Sequence, residues 1–367
     1  MKVCFISPRT YPLFHSEVQE VFGGAEVQFY LVGCEITKDS NFEISFLVGD
    51  YGQSEIESYN NIRLIKALHF KKNIFAKIYY FYKAFNKANA DTYIQTTLTP
   101  FSGIIALCCR VKRKRLIYRV AHDNETDGGY AKIYGNIRYF FGRIVFLLAD
   151  AIIVQNEYQR TSLKKNMNIN GNLIRNGYIL SEIPLGQKEY ILWVGRSEPF
   201  KRPKLFLKLA RENPDKHFVM LCQPIDNPEL DNEIANEAKD IPNLKFVSFI
   251  PFHKVDDYYQ RAMLFVNTSS QEGFPNTFLH ACAATTPILS LKVNPDSFLN
   301  NYKCGLCADD DWAQFVDMFE RLCDPNLTEE YGLNARKYLE CEHDVRICVR
   351  QYKKLFYTNK CDLYARR

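Results

Sequence analysis

The segment Asn267-Thr-Ser-Ser-Gln-Glu272-Gly-Phe-Pro-Asn-Thr-Phe-Leu-His280-Ala gathers more chemistry than any other in the chain. A short apolar run, Leu264 to Asn267, reads as a strand that delivers it. Glu272 then puts a carboxylate on a loop beside Gly273 and Phe274. A helix starts near Pro275, Asn276 and Thr277, where proline is tolerated in a first turn. The free amides of such a helix start suit a phosphate. A capped strand-to-helix loop with one solvated glutamate would show the same pattern. Val194-Gly195-Arg196, followed by Lys201, is the second candidate. It places two cations after the predicted strand Tyr190 to Val194, where they could stabilise developing negative charge or simply be solvated.

Two further signals lie in the first half. Gly23-Gly24-Ala25-Glu26 would let backbone amides approach a phosphate or sugar, with a helix behind them. A lone Gly-Gly can equally be a turn. It is not G-x-G-x-x-G and does not directly follow the first strand, which argues against a nicotinamide-binding fingerprint. His122, in Val120-Ala-His-Asp123, follows another predicted strand, and Asp123 could orient its ring.

These loops need a frame. Apolar runs at Lys2 to Ser7, Phe42 to Val48, Leu116 to Val120 and Ala151 to Val154 alternate with helical stretches such as Ala25 to Ile36 and Lys72 to Asn89. The alternation restarts after residue 188, with strands at Tyr190 to Val194, Phe218 to Leu221, Leu244 to Val247 and Leu264 to Asn267. Helices are expected at Lys204 to Arg211 and Asn276 to Ala284. Strand–helix alternation implies parallel sheets covered on both faces, with ligands beyond the carboxyl ends of the strands. The expected domains are residues 1–183 and 184–345, joined by a linker around Pro184 and Gly186, with a helical tail over 346–367 that packs back on the first.

Composition narrows the field. A chain of 367 residues with 47% hydrophobic content can bury two cores. A net charge of +5 is too small to argue for nucleic acid but allows a mildly basic face towards phosphates or lipid headgroups. The apolar run after Met1-Lys2 is too short for a secretory core, and no stretch approaches a spanning helix, so a cytoplasmic location is expected. Twelve cysteines, most of them in apolar runs, read as reduced and buried. Cys304-Gly-Leu-Cys307 has no second ligand pair for zinc.

The segment Glu272-Gly-Phe-Pro-Asn-Thr-Phe-Leu-His280 resembles the E-x7-E signature of retaining GT-B glycosyltransferases of family four. Gly195-Arg196 with Lys201 resembles their G-R…K motif, and Gly23 to Glu26 their G-G-A-E loop. His122 resembles their cleft histidine, and Asn176-Gly177 their N-G near the interdomain crossing. The resemblance implies two Rossmann-like doubly wound domains facing a cleft. It implies transfer of a sugar from a nucleotide-sugar donor to a glycan or lipid-linked acceptor, with retention, no metal and no cofactor. Glu272 and His122 would contact the donor sugar, and Arg196 and Lys201 would stabilise the diphosphate leaving group. Gly23, Gly24, Gly273, Phe274, Pro275, Asn276 and Thr277 would line the donor.

The chain departs from the pattern at His280, where the family carries the glutamate that contacts the ribose. A histidine makes one contact where a carboxylate makes two. His280→Glu is therefore expected to be tolerated, and a protein that binds a nucleotide sugar with weak or lost transfer is the alternative reading. Leu221-Cys-Gln-Pro224 likewise stands where the family often has a glycine-rich turn. Lys72 to Lys87 reads as a helix with Lys72, Lys83 and Lys87 on one face and Phe75, Phe81, Tyr82 and Phe85 on the other. Core packing is one reading of it. Contact with anionic lipid, helped by the Lys112-Arg-Lys-Arg115 cluster, is the other.

Overall fold

The computed structural model describes residues 1–180, 182, 187–224 and 227–357. They fall into two compact units, Met1–Ile179 with the segment from Val345, and Leu180–Asp344. The expected boundary at residues 183 and 184, most of the linker and the tail beyond residue 357 lie outside the described residues.

The first unit holds β1 (Lys2–Ile6), β2 (Glu43–Gly49), β3 (Ile56–Tyr59), β4 (Ile62–Leu68), β5 (Thr92–Thr96), β6 (Arg115–Arg119), β7 (Ala151–Val154) and β8 (Asn172–Leu173). They form one sheet in the order β3-β4-β2-β1-β5-β6-β7-β8. Every pairing is parallel except β3 with β4. β1 sits centrally, with Phe5 opposite Phe46 on one side and Ile94 on the other. Its last four residues are buried, as a strand covered on both faces requires. Two elements escape the apolar-run pattern. The β3–β4 hairpin turns on Asn60 and Asn61, both with positive φ, a turn that asparagine tolerates. β5 reads Thr-Tyr-Ile-Gln-Thr, polar by type yet wholly buried.

The second unit holds β9 (Tyr190–Arg196), β10 (Phe218–Gln223), β11 (Leu244–Val247), β12 (Ala262–Asn267), β13 (Ile288–Ser290) and β14 (Gly305–Cys307). Their order is β11-β10-β9-β12-β13-β14, all parallel. This is the doubly wound arrangement, and the chain reverses direction across the sheet between β9 and β12. A crevice outside the carboxyl ends of those two strands is where such sheets take ligands. Helix Pro203–Glu212 covers the sheet through Phe206, Leu207, Leu209 and Ala210, all fully buried. Cys304 precedes β14 and Cys307 ends it, and burial pushes their thiols up to about 12 and about 11.

Helix Val345–Tyr357 packs on helix Gly24–Ile36 within the first unit. Arg115 donates to the Phe356 carbonyl at 3.0 Å, Lys353 pairs with Asp39 at 2.6 Å, and Phe356 sits 5.8 Å from Phe42. Asn176-Gly177 is part of the same packing. Gly177 exchanges two hydrogen bonds with the Gln28 side chain, 2.7 and 3.0 Å, and Asn176 accepts from the buried Arg119. No helix among the described residues is long and apolar enough to cross a membrane.

The helix expected over Lys72 to Asn89 is Ile74–Ala88, capped by the Asn73 side chain. Its faces differ from the expected ones. Phe81 and Phe85 are buried, but Phe75 and Tyr82 are exposed, so they do not belong to the core face. Lys83 and Lys87 both pair with Glu55, which lies before β3 and neutralises that part of the basic face.

Candidate donor site at the carboxyl ends of β9 and β12

The loops after β9 and β12 are stitched together by hydrogen bonds. Thr268 Oγ1 donates to the Lys201 carbonyl at 2.6 Å, and Trp193 Nε1 donates to Thr268 Oγ1 at 3.0 Å. Ser270 N donates to the Phe200 carbonyl at 2.7 Å. Arg202 donates to the carbonyls of Thr268 (2.6 Å) and Ser269 (3.2 Å) and pairs with Asp310 at 2.5 Å. Arg202 adopts the left-handed conformation, φ 49°, just ahead of Pro203. Sequence reasoning passed over it. The clue was present in the Lys201-Arg202-Pro203 run, where a second cation precedes the helix start.

This stitching brings Lys201 and Glu272 into contact as an ion pair, with Glu272 Oε1 also accepting from Ser269 Oγ at 2.9 Å. The two side chains are only 13% and 11% exposed, so the pair is held largely out of water. Arg196, at the end of β9, turns to Glu198 at 2.6 Å. Glu272, Lys201 and Arg196 thus all sit on the loops flanking the point where strand order reverses.

The other residues expected around Glu272 divide by exposure. Gly273, Phe274 and Pro275 are buried. The Phe274 ring packs against His343 at 4.7 Å and Phe298 at 5.4 Å, which makes its side chain part of the core. Asn276 and Thr277 are half-exposed at the start of helix Asn276–Ala283, which has no side-chain cap. Thr277 Oγ1 is shielded from solvent and has no hydrogen-bond partner. An anion at this helix start would meet the positive end of the helix dipole and the Thr277 hydroxyl.

His280 is where the structure departs most from expectation. Its ring is buried, with Nδ1 2.5 Å from Asp256 Oδ1. It stacks on Tyr259 at 5.3 Å and meets the edge of Phe252 at 5.8 Å. The ring therefore faces helix Val255–Arg261, and the polar group reaching solvent beside it is the Asp256 carboxylate, 35% exposed. Leu221-Cys-Gln-Pro224 ends β10 with Cys222 buried, and the Gln223 carbonyl accepts from Ser197 N at 3.0 Å.

In the first unit, Gly23 is extended and caps helix Gly24–Ile36. Glu26 reaches back to accept from Gly23 N at 2.9 Å, so that amide is already engaged by a carboxylate. His122 is exposed at the carboxyl end of β6. Asp123 accepts from Gln159 at 2.9 Å and from Asn156 at 3.2 Å.

Beneath His122 lies a group that sequence reasoning did not single out. Glu125 is fully buried and accepts from Tyr118 Oη (2.7 Å), Ala121 N (3.3 Å) and Leu98 N (3.3 Å). Burial outweighs these donors and pushes its carboxyl up to about 7. A raised carboxyl favours folding while it is protonated, so its stabilising effect is full below the ordinary range and fades as pH rises through about 7. Stability is expected to fall by about 3 kcal/mol between pH 4.5 and pH 7.5 on this account. Denaturant midpoints across that range, compared with Glu125→Gln, check it. The loss should be absent in the variant, and an identical slope would remove Glu125 as the cause.

Residues 181–338 match the family model described as glycosyl transferases group 1. No curated protein matches the chain. Among solved structures, the chain is similar to sucrose-phosphate synthase from Thermosynechococcus elongatus, with a TM-score of 0.78 and 16% identity over 100% of both chains. It is similar to WaaG, a glycosyltransferase involved in lipopolysaccharide biosynthesis, with a TM-score of 0.71 and 15% identity over 97% of this chain and 100% of that one. It is also similar to the UDP-GlcNAc 2-epimerase from Neisseria meningitidis bound to UDP-GlcNAc, with a TM-score of 0.65 and 10% identity over 98% and 100% of the two chains. At such identities the likeness establishes the fold, and the epimerase shows that this fold serves more than one reaction. The family match is thus confined to residues 181–338, and the two doubly wound units are those of the GT-B fold that these solved structures share.

Proposed function

We propose that the protein is a retaining glycosyltransferase. It would move a sugar from a nucleotide-sugar donor to a glycan or lipid-linked saccharide in surface polysaccharide biosynthesis. The observation that supports this most is the Lys201–Glu272 pair, with Arg196 at the end of the strand that leads to Lys201, where the strand order of the second unit reverses. Glu272 would hold the donor sugar by its hydroxyls. Arg196, Lys201 and the amides at Asn276 and Thr277 would take up charge on the departing diphosphate, where fixed donors act most strongly. On the first unit, His122, Gly23 and Gly24 are the candidates for contact with a sugar or phosphate. A lipid-linked acceptor would hold the protein at the cytoplasmic face of a membrane.

A second reading has one observation in its favour. His280 is turned onto Asp256 and Tyr259, which favours a ribose contact from another residue than the one that the signature implies. A nucleotide-sugar-binding protein with weak transfer fits that. Thermal shift of the purified protein with UDP-, GDP- and ADP-sugars, followed by assay of the stabilising donor for release of nucleoside diphosphate, separates the two. Stabilisation with release supports transfer, and stabilisation without release under any acceptor supports the second reading.

Metal independence is a further proposal. It rests on the cations Arg196 and Lys201, which would carry the charge that a divalent ion neutralises elsewhere. Turnover is expected to be unchanged in a strong chelator. Loss of turnover that returns with manganese or magnesium would contradict this.

A further inference from the structure

Helix Asn136–Leu148 is apolar on two sides. One side, Gly142, Val145 and Phe146, is buried in the first unit. The other carries Ile137, Phe140, Phe141 and Leu147, all exposed, with Ile137 76% and Phe140 67% exposed. Their spacing, i, i+3, i+4 and i+10, falls on one stripe at about 100° per residue. Helix Pro100–Val111 packs against this helix, with Gly103 so close that an added Cβ would lie 2.4 Å from the Phe141 carbonyl. It adds exposed Leu107 and Val111.

The charged residues carried by these two helices are all cationic. Residues 97–122 and 129–149 contain no aspartate or glutamate. Arg138 and Arg143 flank the stripe on opposite sides, about 120° and 100° from its centre. Both are exposed, as are Arg110, Lys112 and Arg113 at the end of the neighbouring helix. A stripe of aromatic and aliphatic residues between cations, on a helix whose other side is anchored in a core, is the form of a helix lying in a membrane interface. A soluble surface seldom leaves such a patch uncovered.

We propose that the face formed by helices Asn136–Leu148 and Pro100–Val111 docks the first unit on an anionic lipid bilayer. The apolar stripe enters the headgroup boundary, and Arg138, Arg143 and the Arg110–Arg113 cluster meet lipid phosphates. Helix Ile74–Ala88 adjoins this face, with Lys112 lying 5.0 Å over its Tyr82 ring, but its own Lys83 and Lys87 are paired with Glu55 and bring little free charge. The inference depends on this face alone and not on the identity of the donor.

Sedimentation of the full chain with vesicles tests it. Vesicles of phosphatidylglycerol and phosphatidylcholine in equal parts are expected to bind the protein, and phosphatidylcholine alone about tenfold or more weakly. F140S/F141S should lose binding to both, and R138E/R143E should lose the preference for phosphatidylglycerol, with donor-induced thermal shift unchanged in each. If F140S/F141S fails to fold, I137S/L147S provides the same comparison. Absence of binding, equal binding to the two vesicles, or a dimer in light scattering that F140S/F141S dissociates would overturn the proposal.

Discussion

Arg196→Ala is expected to reduce kcat/KM by about 2–4 kcal/mol, roughly thirty- to a thousandfold, while stability changes by less than about 0.5 kcal/mol. The guanidinium is partly exposed, and among the described residues it pairs with Glu198, two residues away, so little folding energy depends on it. Lys201→Ala should lose turnover on the same scale but behave differently in the folded state. Its partner Glu272 is 11% exposed and would be left as a nearly buried carboxylate with Ser269 as a donor. Removing one member of such a pair costs more than the pair is worth. Stability should therefore drop with Lys201→Ala and recover in Lys201→Ala/Glu272→Ala, while turnover stays low in both. Kinetics with chemical denaturation on the three variants check this. Near-normal turnover in Arg196→Ala and Lys201→Ala together would mean that the reaction is carried out elsewhere.

The second large effect concerns His280. Read from sequence, His280→Glu restores a family carboxylate and should be harmless. The structure reverses that expectation. A glutamate here would replace a ring buried against Tyr259, and its carboxylate would lie beside Asp256, which is now 2.5 Å from the imidazole. Two carboxylates at that distance cannot both ionise without strong repulsion. The variant is expected to be destabilised by about 2–4 kcal/mol at neutral pH and to regain stability on acidification, as one of the two takes up a proton. His280→Glu/Asp256→Asn should recover most of the loss at neutral pH. Denaturant midpoints at pH 5 and pH 7.5 read both effects. A stable His280→Glu with tighter donor binding would return residue 280 to the ribose.

The parallel core of each unit was legible because its strands are continuous apolar runs. Ala151–Val154 and Leu244–Val247 could be bounded to the residue. The β3–β4 hairpin was missed because Ile56–Tyr59 is an edge strand of mixed exposure, and its signal lies in the Asn60-Asn61 turn rather than in hydrophobicity. β5 was missed because Gln95 is a polar residue buried by its bond to Ser102 at 2.6 Å. Helix Asn136–Leu148 was not delimited, since residues apolar on both sides give no single amphipathic period.

For the candidate site, chain order after strands was enough to point at Arg196, Lys201 and Glu272, since a parallel sheet must deliver such loops to one edge. Direction of side chains was not legible in that way. Phe274 belongs to the core because His343 and Phe298 lie across from it, and both are distant in sequence. His280 faces Asp256 from 24 residues away. Glu125 gave no motif at all, and its importance comes from complete burial against Tyr118.

Retention is read most directly from the anomeric configuration of the transferred sugar. A donor that stabilises the protein is supplied with a saccharide acceptor, and the coupling constant of the product's anomeric proton is read by NMR as it forms. An α-linked nucleotide sugar is expected to yield an α-linked product, with nucleoside diphosphate released in equal amount and the yield in a fixed short time reduced about thirtyfold or more in Arg196→Ala. A β-linked product from the same donor, or the same yield from Arg196→Ala, would contradict it.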